Sequence, residues 1–193
     1  MKKLIETWTS GITVKRDKKV VRLIPRVISA TNLKLINERL GQVTAYYPCE
    51  FQRAPRTFEE LSYWRAHEYR QFLMYLGYAV LHDILPETHI YRFLVLQVYC
   101  RMLADNEKIS NSSNFLEYAV KLAEMFTAIS CEIFGDYWAI YNVHGLLHIP
   151  YDVLKFGYLE NNSCFMFEAF MYTLKQLVRS GRHPLKQAIN RYS

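Results

Sequence analysis

Residues 69–84 read YRQFLMYLGYAVLHDI. Tyr69, Phe72, Leu73, Leu76, Val80 and Ile84 recur at spacings of three and four. On a helix of 3.6 residues per turn they form one wide apolar stripe, whereas on a strand they would fall on both faces. Pro86 follows, and Ile90, Phe93, Leu94 and Leu96 begin a second helical pattern over about 87–104. Two apolar helices separated by one break bury their stripes most directly against each other, so residues 62–104 are expected to form an antiparallel pair. The expected class is all-α.

Working outward, Asn111, Ser112 and Ser113 read as a loop and cap before a long helix over 113–134, with Leu116, Val120, Ala123, Phe126 and Ile133 inward. Gly135 stops that helix, and Asp136 is placed to cap the next, over 137–149. Pro150 is expected to kink or break the chain, since it lacks an N–H and clashes with the preceding turn. A helix over 165–179 is closed by Gly181, and Pro184 suits the first turn of a last helix. Toward the N-terminus, 42–57 carries Pro48 and Pro55 and reads as extended, after a helix over 31–41 that Gly41 ends. The Val and Ile content of 12–28 favours strand, but KRDKK and Pro25 interrupt it, which leaves a loop with a short hairpin. Residues 1–9 form a helix with Leu4, Ile5 and Trp8 on one side, ended by Gly11. The expected organisation is a basic N-terminal segment, 1–60, with short helices and an extended linker, followed by a helical domain, 61–193.

With 51% hydrophobic and 15% aromatic residues the chain is too apolar to stay disordered. The longest uncharged stretch, 137–151, is too short to span a bilayer and contains Pro150, so no membrane partner is expected. No N-terminal segment has the parts of a secretory signal; a nuclear or cytoplasmic location is expected. Cys49, Cys100, Cys131 and Cys164 are too far apart for a CxxC knuckle and read as free thiols, mostly buried. Charge is segregated: residues 1–70 carry a net +7, residues 71–174 a net −6 and residues 175–193 a net +5. Two basic ends flanking an acidic middle suit either contact with a polyanion or ordinary solvated faces.

Two constellations bear chemistry. His144 and His148 are spaced i, i+4 and share a helix face, so they suit either half of a zinc site or two packed, hydrogen-bonded histidines. In CFMFEAFMYTLKQLVR, Phe167, Phe170, Leu174 and Leu177 make an apolar face expected to meet the core. Glu168, Tyr172, Lys175 and Arg179 line up on another face, where a carboxylate could hold a divalent metal and the cations beyond it a phosphate backbone. A solvated acid with i, i+4 partners is the plainer account of the same spacing.

The segment PCEFQRAPRTFEELSYWRAHEYRQFLMYLG is similar to one in CACTA/EnSpm-like transposases, where an "EF.R.PR" turn leads into a helix of the form "W.A.E.R.FLLY". ILPE…FLVLQVYCRML and NVHGLLH…FGYLENNSCFMFEAFMYTLKQLVRSGRHPLKQ resemble the C-terminal region of the same family, so the resemblance covers nearly the whole chain. It implies descent from a DDE transposase with an RNase H-like core, in which Asp, Asp and Glu bind two Mg²⁺ for strand cleavage and transfer. Glu168 matches the third carboxylate, and His144 and His148 match a His pair that in relatives joins a Cys pair around zinc. The sequence departs from the pattern in two ways. None of Asp17, Asp83, Asp105, Asp136 and Asp152 lies in a convincing strand in the right order, and there is no CxxC. The chain therefore reads as the helical C-terminal part of such an enzyme, lacking the core sheet and inactive as a nuclease alone. No cofactor is expected for the chain by itself, whereas Mg²⁺, and Zn²⁺ at the His pair, belong to the full-length family. Three readings stand: a catalytically incomplete transposase-derived fragment that partners a missing catalytic core or another transposase subunit, a non-catalytic DNA-binding module, and a helical protein-interaction domain. On either of the first two, weak sequence-independent DNA contact falls to Lys15, Arg16, Lys18 and Lys19 and to Lys175, Arg179, Arg182 and Lys186.

Overall fold

In the computed structural model, α1 (Lys2–Ser10) buries Leu4, Ile5 and Trp8, the side read as apolar in the sequence. The structure describes residues 1–16, 19–48, 51, 54–111, 114–135, 138–161 and 163–192. Gly11 follows α1 at φ 75°, and a Cβ there would lie 2.3 Å from the Ile24 carbonyl oxygen. Only glycine accommodates both the left-handed backbone and the close approach. The approaching strand belongs to a hairpin: β1 (Ile12–Arg16) pairs antiparallel with β2 (Lys19–Ile24), Val14 opposite Val21 and Lys15 opposite Val20. The Trp8 carbonyl then accepts from the N–H groups of Val27 and Ile28, both at 2.9 Å, and holds the hairpin's exit against α1. Among the described residues this hairpin is the only sheet, and the rest of the secondary structure is helical.

Ser29 caps α2 (Ala30–Thr44) by accepting from Asn32 N–H at 3.1 Å. The helix passes through Gly41 and ends a turn later than expected. No atom crowds Gly41, and the buried Ile36 and Leu40 anchor the helix to the core. A 3-10 turn, Phe58–Tyr63, precedes α3 (Ala66–Gln71), a π-helical turn over Phe72–Leu76, and α4 (Gly77–Leu81). α5 (Glu87–Leu103) returns alongside. Gly77 faces Phe93, and the Leu73 and Met74 carbonyls accept from Gln97 and Arg101 respectively, so higher numbers on one helix meet lower numbers on the other. This is the antiparallel pair the periodicity indicated.

After α6 (Asn106–Asn111), α7 (Phe115–Phe134) packs along α5. Its buried face is Phe115, Ala119, Leu122, Ala123, Phe126, Ser130 and Phe134; Leu116, Val120 and Ile133, expected inward, are half-buried at its edge. Gly135, at φ 71°, ends it as expected, while the cap assigned to Asp136 lies outside the described residues. The helix expected over 137–149 is instead α8 (Tyr141–His144), a 3-10 turn (Gly145–Leu147) and the start of α9 (Ile149–Phe156). Pro150 does not break the chain. It occupies the first turn of α9, where its missing N–H has no helical partner to lose. α10 (Phe165–Leu177) and α11 (Pro184–Tyr192) complete the chain.

One hydrophobic cluster runs from Leu4, Trp8, Ile36 and Phe58 through Phe72, Phe93 and Phe126 to Val153. The core is therefore not divided at the boundary expected between residues 60 and 61. Inside it lies a charge: Arg92 of α5 is fully buried. Its guanidinium stacks 4.1 Å from the Phe134 ring centre, 5.2 Å from Trp138 and 5.9 Å from Trp8. Trp8 Nε1 donates to Nδ1 of the neighbouring buried His89 at 3.2 Å. Burial, together with the Arg92 charge, depresses His89 to about 4.

Candidate nucleic-acid interface

The motif residues that carry the resemblance are used to brace the helical body. Arg56 Nη1 donates to the Tyr63 carbonyl at 2.8 Å, and its Nε lies 3.4 Å from the buried Glu68 carboxylate. Glu68 also accepts from Arg65 N–H at 2.8 Å, which caps α3. Trp64 Nε1 donates to the Thr57 carbonyl at 3.2 Å, and its ring packs with Phe58, Tyr69 and Phe72. Arg70 is ion-paired with Glu160, which ties α3 to the turn after α9. These contacts hold elements of the helical body together.

The residues singled out for chemistry fall in three places. His144, at the end of α8, and His148, at the start of α9, are exposed with their Nε2 atoms 3.2 Å apart. That separation suits two nitrogens on one tetrahedral metal, half of the four donors a structural zinc needs. Glu168 lies in the first turn of α10 and is exposed. Among the described residues no three His, Cys, Asp or Glu side chains converge. A two-Mg²⁺ centre requires several carboxylates around the ions, and among the described residues Glu168 has no such set beside it. Of the cysteines, Cys100 and Cys131 are half-buried and Cys164 is exposed, so the described ones are less buried than expected; Cys49 lies outside the described residues.

The third place is the α10–α11 hairpin. Its turn is tied by one side chain, Gln187. The Oε1 accepts from the N–H groups of Arg179 and Ser180 at 3.0 and 3.3 Å, and Nε2 donates to the Ser180 carbonyl at 3.1 Å and the Arg182 carbonyl at 2.5 Å. Arg191 reaches back to the Leu177 carbonyl at 2.5 Å. Folded so, the turn forms a cleft of about 460 Å³ lined by Arg179, Arg182, His183, Lys186 and Arg191. Three of the predicted DNA-contacting cations thus share one concavity. His183, next to Arg182, was missed because it carries no fixed positive charge, and Arg191 because only the closed hairpin brings it back to Leu177. The signal available was the absence of any acid in 175–193.

The expected stripe of Glu168, Tyr172, Lys175 and Arg179 does not persist. α10 ends at Leu177, so Arg179 turns into the basic cleft, while Glu168, Tyr172 and Lys175 line a separate groove of about 560 Å³ with Met171, Leu174 and Leu185. Nor does the expected apolar face meet the core as a unit. Phe167 is 67% exposed and Phe170 45% exposed, the latter edge-on to Tyr192 of α11 at 6.0 Å. At the other basic end, Lys15 and Arg16 fall on β1 and Lys19 on β2. The side chains of those three, and Lys18 entirely, lie outside the described residues. No described helix is long and apolar enough to cross a membrane.

Comparison with protein-family models, with curated protein sequences and with solved structures returned no match.

Proposed function

We propose that this chain is a catalytically incomplete, transposase-derived protein of the CACTA/EnSpm kind that contacts the DNA backbone through the cleft of its α10–α11 hairpin. The cleft carries the reading: Arg179, Arg182, Lys186 and Arg191 converge on one concavity with no acidic side chain in its lining. Guanidinium and ammonium groups around such a concavity suit phosphate oxygens, and contacts to phosphate carry no sequence information, so binding would be sequence-independent. The motif resemblance supports the origin. The single exposed Glu168, with no converging set of three ligands among the described residues, supports the loss of the two-metal step.

Fluorescence anisotropy with a labelled duplex over a salt series tests it. A handful of phosphate contacts gives a dissociation constant that is micromolar or weaker at physiological salt. With three to four contacts the logarithm of affinity falls with the logarithm of salt at a slope of about −3. Joint replacement of Arg179, Arg182 and Lys186 by alanine should flatten the slope toward zero. The adjoining apolar groove favours a second reading, a helical protein-interaction domain. Absence of binding at low salt, or an affinity that salt leaves unchanged, would select that reading instead.

A further inference from the structure

Ser180 sits where the basic cleft closes. It lies in the turn between α10 and α11, within a run, 179–186, that is exposed throughout. Among the described residues that line the cleft it alone carries a hydroxyl. Gln187 joins that hydroxyl to the cations: its Nε2 donates to Ser180 Oγ at 2.9 Å, and its Oε1 accepts from Arg191 Nη1 at 3.4 Å. Arg179 directly precedes Ser180, Arg182 follows two residues later, and both line the cleft with Lys186. A turn-forming serine is the plainer account. The turn, however, is already held by Gln187 through backbone groups of Arg179, Ser180 and Arg182, none of which needs the hydroxyl.

We propose that Ser180 is a phosphorylation site whose phosphate occupies the basic cleft and switches off its contact with DNA. The switch rests on the DNA reading above, whereas the seating of the phosphate stands by itself. The partner is a serine kinase with an acidic substrate groove. Arg179 and Arg182 supply the flanking charge that such a groove selects. The segment also suits presentation, since Val178 leaves α10 with extended backbone (φ −98°, ψ 106°) and glycine follows the serine. ATP is the phosphoryl donor. The bond from Ser180 Oγ to the γ-phosphorus forms as the bond from that phosphorus to the bridging oxygen breaks; ADP leaves, and the hydroxyl proton passes to the kinase's base. The product brings about −1.5 to −2 charge and three acceptor oxygens at pH 7. Arginine and lysine side chains around it supply charge-assisted hydrogen bonds, and the tether keeps the phosphate at an effective concentration on the order of millimolar. It thereby cancels about half of the fixed charge of Arg179, Arg182, Lys186 and Arg191 that would otherwise hold duplex phosphates.

The test treats the purified full chain with ATP and a serine kinase selective for basic flanks, beside Ser180→Ala, and maps incorporation by mass spectrometry. Phosphorus NMR then locates the group. Seated among the cations, its second ionisation falls below the value of about 6 for a phosphoserine in solvent, and Lys186→Ala should move it back upward. In duplex anisotropy, phosphorylation should weaken binding about tenfold or more at about 0.1 M salt and flatten the salt slope from about −3 to about −1. Phosphatase should restore both, and the same kinase treatment should leave the affinity of Ser180→Ala where it was. No incorporation at Ser180, a midpoint that stays near the solvent value, or an affinity unmoved by full phosphorylation would overturn the proposal. An unmodified chain that binds no duplex at low salt would overturn the DNA reading and the switch with it, while the phosphorus titration still decides the seat.

Discussion

His89 makes the fold sensitive to acid, and the size of the effect follows from its surroundings. It is 8% exposed, accepts from Trp8 Nε1 and sits beside the buried Arg92 charge. In the unfolded chain it takes up a proton near pH 6.5. In the folded chain desolvation first, and the Arg92 charge second, hold it neutral down to about 4. Between those two values the unfolded state binds the extra proton, so stability is whole above pH 6.5, falls as pH drops through the window, and levels off below about 4. The full difference is about 3 kcal/mol, of which about 2.5 is lost between pH 7 and about pH 4.5. That is a large share of the roughly 5–15 kcal/mol that holds a domain folded. Urea denaturation at the two pH values measures the loss. His89→Gln keeps an acceptor for Trp8 and removes the titration, so its loss should be smaller by about 2.5 kcal/mol. Carboxylates elsewhere affect both proteins alike and cancel. Equal losses in wild type and His89→Gln would refute the assignment, as would a folded-state NMR titration of His89 with a midpoint near 6.5.

Gly77→Ala should destabilise by about 1–3 kcal/mol, because its Cβ would lie 2.3 Å from Phe93 Cζ and 2.8 Å from the Phe72 carbonyl oxygen. Helix propensity alone gives a gain of about 1 kcal/mol, so the sign of the change in melting temperature separates packing from propensity. Glu68→Ala should cost about 3 kcal/mol by removing the α3 cap and leaving Arg56 without its buried partner, measured by chemical denaturation. Glu168→Gln should change stability by less than about 0.5 kcal/mol and leave duplex affinity intact, read by melting and anisotropy on the same preparation.

The elements with strong periodicity and hard stops were legible. Pro86 and Gly135 bound α5 and α7 where the sequence places the breaks. Softer stops misled. A glycine inside a helix costs about 1 kcal/mol, which the burial of Ile36 and Leu40 outweighs, so α2 runs through Gly41. The π turn over Phe72–Leu76 leaves no mark in the period. It widens the helix by one residue, so that Gly77 N–H donates to Phe72 O, and the carbonyls of Leu73 and Met74 accept side-chain donors from α5. Those partners are 24 and 27 residues away, beyond any local window. In α10 the period was right and the burial was not, since an apolar face shows what a helix can bury and a second element decides whether it does. For the site, charge composition located the basic turn, whereas the division between basic cleft and apolar groove depended on α10 stopping at Leu177. Arg92 gave a quieter signal, a lone cation in the apolar run HIYRFLVLQVY, which burial alone turns into a feature.

The distribution of contacts separates what holds this chain together from what any chemistry would need. Arg56, Trp64, Glu68, Arg70 and Glu160 all lie in the segments on which the proposed origin rests, and each is engaged in capping, stacking or bridging within the helical body. Among the described residues the hydrophobic cluster runs from α1 to α9 and includes none of α10 or α11. Glu168 sits outside that cluster, exposed on the first turn of α10. Stability therefore does not depend on the one residue to which the resemblance assigns catalysis, and loss of cleavage would leave the fold's main interactions intact. The same separation applies to DNA contact, because the cleft is closed by Gln187 and Arg191 from within the hairpin itself. A chain built this way keeps its fold and its basic cleft whatever becomes of Glu168, which is the combination the proposed function requires.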